Sequence, residues 1–125
     1  MKILKGALAR LSRPPEEVRA EHLRHWAATI DGACPIAEVV PRRRCKVAGV
    51  IQNLRIDPRQ GRNAVEATIS DGTGELVARF LGRNSLQGIK LGAGLIVEGV
   101  PSRSPDGECL ILNPEYQLIP DPEHG

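Results

Sequence analysis

The spacing of apolar residues changes near residue 35: helical up to that point, alternating or continuous beyond it. Ile3, Leu4, Ala7, Leu8 and Leu11 predict a helix over 2–11. Ser12-Arg13-Pro14-Pro15 interrupts it. A second helix can start at once, because proline suits the first helical turn and Glu16 and Glu17 suit its positive end. This helix is expected to run to about Thr29, with Leu23, Trp26, Ala27 and Ile30 on one face. Trp26 on that face is expected to anchor the helix to the body of the protein, and Asp31-Gly32-Ala33-Cys34-Pro35 ends it.

The remainder has the pattern of strands. Arg44 to Ile56 is a long Val- and Ile-containing stretch with Gly49 in its middle, where a bulge or sharp bend is expected. A polar loop, 57–63, follows. From Ala64 to Ser70, Val65, Ala67 and Ile69 lie on one side and Glu66, Thr68 and Ser70 on the other. Asp71-Gly72-Thr73-Gly74 makes a turn, and Leu76, Ala78 and Phe80 then alternate with Val77, Arg79 and Leu81. One short helical turn is expected over 84–89, a fourth strand over 94–100, a polar loop over 101–107, and a fifth strand over 108–119, broken near Asn113-Pro114. This rhythm predicts a mainly β protein: a five-stranded Greek-key barrel of the OB type with one or two N-terminal α-helices. The expected organisation is a helical extension over 1–35, a barrel over 36–119 and a disordered acidic tail over 120–125.

Charge sharpens this picture. Residues 42–103 hold 11 Lys and Arg against 5 Asp and Glu, whereas residues 104–125 hold 5 acidic residues and no Lys or Arg. Of the chain's 17 basic residues 13 are arginine, whose planar fork suits phosphate pairing and stacking. An ordinary solvated surface has the same composition, so both readings stand. There is no apolar run long enough to span a membrane. The N-terminus, interrupted by Lys5 and Arg10, lacks the continuous apolar centre of a secretion signal. Cys34, Cys45 and Cys109 are odd in number and widely spaced, which reads as reduced thiols and a cytoplasmic location.

Several stretches together resemble a known family. "VAGVIQNLRID", "VEATISDGTGELVARFLGR", "GLIVEGVP" and "LNPEYQLI" are similar to OB-fold nucleic-acid-binding domains, in particular small actinobacterial OB-fold proteins and the wedge domain of RecG-type helicases. The lead-in "PIAEVVPRRRCKVAGVI" resembles the entry into those barrels, and the likeness covers roughly residues 36–119. It implies a barrel that binds single-stranded or branched nucleic acid without catalysis.

OB barrels bind on the face of strands two and three, flanked by the loops joining strands one to two and four to five. The first of these loops carries Arg55, Arg59 and Arg62, and the second carries Arg103. Arg79 lies on the third strand and Arg83 just past it. With Lys46, from the basic run Arg42-Arg43-Arg44-Cys45-Lys46, these are the candidate nucleic-acid-binding residues. Aromatic platforms are scarce: the chain has one Trp, one Phe and one Tyr. Phe80 is expected in the core, and Tyr116 is read as inward with a hydrogen-bonded tip. His22 and His25, three apart on a helix, lack a second ligand pair and read as surface or packing residues, so no metal or cofactor is expected. No carboxylate cluster suggests a nuclease. The expectation is therefore a non-enzymatic binder of single-stranded DNA or RNA. A protein-interaction module, with a protein partner or a second copy of the chain, is the alternative.

Overall fold

The computed structural model describes residues 14–57, 63–83 and 85–122, so the expected helix over 2–11 lies outside the described residues. Helix α1 spans Pro15–Ala28 and a 3-10 turn spans Ile36–Glu38. The strands are β1 (Cys45–Asp57), β2 (Ala64–Ser70), β3 (Glu75–Leu81), β4 (Gly94–Gly99), β5 (Pro101–Arg103), β6 (Cys109–Leu112) and β7 (Glu115–Ile119). They form one sheet in the order β5-β6-β3-β2-β1-β4-β7.

Seven strands replace the expected five because two long stretches are interrupted. Val100 separates β4 from β5, so the first part of the expected 101–107 loop is strand. Asn113, at φ 47°, and Pro114 separate β6 from β7. Proline removes a ladder donor, and a left-handed residue turns the chain out of register. The continuity of β4 with β5 and of β6 with β7 brings the two ends of the sheet together.

The strand β1 makes this curvature possible. Its first half, Cys45 to Val50, pairs with β4, and its second half, Val50 to Asp57, pairs with β2. The bulge expected at Gly49 lies slightly later, between Ile51 and Asn53. Gly49 serves close approach instead: a Cβ there would stand 3.0 Å from the Cβ of Ile69 and the backbone of Ser70. Val47, Ile51, Ala67, Ile69, Leu76, Ala78, Phe80, Leu95, Val97 and Ile111 fill the interior. Of the segment expected to form a helical turn over 84–89, the described part, 85–89, holds a turn and no helix, as suits Ser85 and Gly88, and it inserts Leu86 into the core.

Helix α1 covers the outside of the β1–β4 half. Ala48 pairs with Ile96, and both are buried together with Leu23 and Val50 outside the interior cluster. Trp26 anchors the helix as expected, with its ring against the backbone of Gly94. The Asp71-Gly72-Thr73-Gly74 turn is a second anchor. The buried carboxylate of Asp71 accepts hydrogen bonds from the backbone N–H of Ile36 (2.8 Å) and of Thr73 (2.9 Å) and from the Thr73 hydroxyl (2.6 Å). Gly72 adopts φ 85°, and a Cβ there would lie 2.1 Å from the Ala20 carbonyl oxygen. The replacement Gly72→Ala is therefore expected to lower stability by about 3 kcal/mol through left-handed strain and displacement of α1. Denaturant unfolding followed by Trp26 fluorescence measures this; an unchanged midpoint contradicts the packing described.

Candidate nucleic-acid interface

With the β1–β4 half covered, the outer face of the second half of β1, β2, β3 and β6 is left. Directly paired residues share a face of a sheet. The register therefore places Arg55, Glu66, Arg79 and Leu112 in one row across this face. Asn53, Thr68, Val77 and Leu110 form the row on one side, and Asp57, Ala64 and Leu81 the row on the other.

The centre of the face is an ion-pair network. Glu66 was expected on the solvent side of its strand, but it is buried, its side chain 10% exposed beneath two arginines. Arg55 donates to Glu66 Oε1 at 2.8 Å and to Oε2 at 3.3 Å. Arg79 donates to the same Oε1 at 3.1 Å and to Asp57 Oδ2 at 3.4 Å. The hydrogen bond from Arg55 to Glu66, reinforced by its charge, raises the Arg55 pKa further above the ordinary guanidinium range. Arg55 remains 62% exposed at its side chain and Arg79 20%. Two cations and two carboxylates leave this rung formally neutral.

The other candidate residues lie around this centre. Arg83 is exposed two residues past β3, at one end of the face. Arg103, on β5, pairs with Cys109 of β6, which packs against the interior, so it shares that side of the sheet and not the Leu110–Leu112 side; it donates to the Gly107 carbonyl at 3.2 Å. The β3–β6 register sets Arg103 near the start of β3, roughly 20 Å from Arg83 along the strand at about 3.3 Å per residue. Arg59 and Arg62 lie outside the described residues. Lys46 stands apart, on the half of β1 that pairs with β4, with its side chain near Gly32. Of the basic run before it, Arg44 is held by Glu98 at 2.8 Å and Glu115 at 3.2 Å.

The aromatic residues leave this face. Phe80 is buried in the core, as expected. Tyr116 shares the inward side with Val97 and its ring meets Phe80 edge-on at 5.1 Å, but it stays 40% exposed because β7 lies at one end of the sheet. Leu81 and Leu112, 45% and 51% exposed, flank Arg79 instead. Sequence alternation marked Leu81 as facing away from the core; the register of Leu112 beside Arg79 had no sequence signal.

A cavity of about 310 Å³ lies elsewhere, between α1 and the β2–β3 turn, lined by residues that include Arg24, Ala27, Cys34 and Asp71. Its buried carboxylate, Asp71, is committed to Ile36 and Thr73. Among the described residues no group of three or more His, Cys, Asp or Glu is placed to hold a metal ion. No helix among them is long and apolar enough to cross a membrane.

The fold agrees with the comparisons. The family model for the OB-fold nucleic acid binding domain matches residues 45–121, and the chain belongs to that family. The RecG protein in a structure bound to a three-way DNA junction is similar in fold, with TM-score 0.59 and 18% identity over 71% of this chain. The match spans 12% of that longer protein. OBody AM3L09, solved bound to hen egg-white lysozyme, is similar with TM-score 0.55 and 15% identity, over 74% of this chain and 98% of its own. No curated protein matches the chain significantly.

Two expectations follow from the geometry. Replacing Glu66 with Ala leaves a largely buried guanidinium short of a partner and is expected to cost roughly 2–3 kcal/mol, read as a lower denaturation midpoint. An unchanged midpoint means that the network contributes nothing to the fold. Burial pushes the Cys45 thiol up to about 11, so alkylation of native Cys45 at pH 8 should be far slower than in the unfolded chain. Equal rates in the two states contradict this burial.

Proposed function

We propose that this protein binds single-stranded DNA or RNA, without catalysis, across the outer face of β2 and β3. The observation that carries this reading is the sheet face that α1 does not cover among the described residues. In a chain of the OB-fold nucleic acid binding family, α1 packs on the β1–β4 side, away from the side on which OB barrels take their ligands. The RecG structure bound to a three-way DNA junction offers a precedent, a DNA-bound protein that contains a similar fold.

The cations around the face hold the phosphates in this reading: Arg83 just past β3, Arg59 and Arg62 from the 57–63 loop, and Arg103 from the β5 edge. Arg55 and Arg79 at the centre are already bonded to Glu66. Few free cations and no aromatic platform imply weak, sequence-tolerant and salt-sensitive binding. Lys46 lies on another side and contributes only general charge.

One observation favours a second reading, a protein-interaction module. The charges at the centre of the face cancel, and OBody AM3L09 is an OB barrel seen on a protein ligand. Fold alone does not decide between the two.

Titration of a labelled single-stranded oligonucleotide at about 50 and 200 mM salt tests the proposal, since each phosphate contact contributes about 0.7 to the logarithmic salt slope. The expected result is measurable binding at low salt that weakens at high salt. Exchange of Arg59, Arg62, Arg83 and Arg103 together for Ala is expected to weaken it at least about a hundredfold at low salt while the chain stays folded. No binding by the native chain at low salt moves the weight to the protein-interaction reading.

A further inference from the structure

We infer that Glu66 is a specificity-determining residue of this face: it withholds Arg55 and Arg79 from phosphate, so that the centre of the face takes the bases of a single strand, over Leu81 and Leu112. This rests on the proposed binding of single-stranded nucleic acid and adds which part of the strand meets which part of the face.

Three observations support it. First, Oε1 of Glu66 is shared by both arginines, and Arg79 is also bonded to Asp57. A phosphate placed here competes with carboxylates already in contact and brings its own charge over two buried acids. The centre of the face is therefore a poor phosphate site, although it is built of arginine. Second, the register sets Leu112 directly beside Arg79, and Leu81 is the next residue of β3 on the same face. Asn113 joins these elements, its N–H donating to the Arg79 carbonyl at 2.7 Å and its side-chain oxygen accepting from the Leu81 N–H at 2.9 Å. The two leucines thus form an apolar shelf beside the Arg79 position, as exposed leucines scattered over a surface do not. Third, the exposed cation Arg83 lies just past the end of β3, beyond this neutral, apolar centre. Charge at that end and apolar surface beside it match a strand whose backbone is gripped at the flank and whose bases turn inward.

The discriminating probes are a 12-nucleotide thymidine oligonucleotide and an abasic 12-mer with the same phosphates. The native chain is expected to bind the thymidine oligonucleotide at least about tenfold tighter than the abasic one. The substitution Glu66→Gln keeps the side-chain volume and removes the charge; it is expected to raise affinity for the abasic probe several-fold and to steepen the salt slope by about 0.7, one phosphate contact. Exchange of Leu81 and Leu112 together for Ala, both exposed and outside the core, is expected to lower affinity for the thymidine oligonucleotide about tenfold and to leave the abasic probe unaffected. Equal binding of the two probes by the native chain overturns the inference while the nucleic-acid reading survives. So does an unchanged preference in the leucine variant, which decides the matter even where Glu66→Gln does not fold. If the native chain binds neither probe, the nucleic-acid reading fails and the inference falls with it, in favour of a protein ligand.

Discussion

The sharing of β1 between two neighbours is the constraint on which the rest of this structure depends. One strand must pair with β4 along its first half and with β2 along its second. To do so it turns away from one sheet direction and into another, over Gly49 and the bulge that follows. A side chain at Gly49 would press on the backbone of β2, and the interior row of Ile51, Ile69 and Leu76 would lose its alignment. The two halves of β1 also have different outer surfaces. The first carries Ala48 and Val50 beneath α1, and the second carries Asn53 and Arg55 on the open face. The division between the side under α1 and the proposed binding side is thus written into a single strand.

The helix and the β2–β3 turn hold the covered side in place. Trp26 reaches the start of β4 across Gly94, and Gly72 admits the backbone of α1 at a distance that no other residue allows. Asp71, which from sequence looks like ordinary turn chemistry, ties the turn to the 3-10 segment ahead of β1. Most of the conspicuous polar residues in this stretch are thereby used for architecture. The proposed binding face lies elsewhere, where Glu66 and Asp57 meet two arginines and two leucines stand exposed.

Much of the barrel was legible in the sequence because its signals are local. Alternation over 64–70 and 75–81 identified β2 and β3 and the inward set of Val65, Ala67, Ile69, Leu76, Ala78 and Phe80. The double proline located the start of α1 to the residue. The splitting of the last two strands was half visible, at Asn113-Pro114 but not at Val100. The network at Glu66 was not legible. Alternation assigned Glu66 to the solvent side, which is the correct face of the strand. Its burial there comes from arginines on two other strands, a matter of register that no local pattern contains. The same limit applied to Tyr116, whose exposure depends on the position of β7 at one end of the sheet.

Backbone amide chemical-shift mapping by nuclear magnetic resonance, with a short single-stranded oligonucleotide added at low salt, tests the central claim most directly. The account predicts that perturbed amides concentrate at Glu66, Thr68, Arg79, Leu81 and Leu112 and around Arg83 and Arg103, with α1 and β4 unmoved. Perturbation centred on α1 or on the Lys46 side of β1, with the β2–β3 face silent, would contradict it.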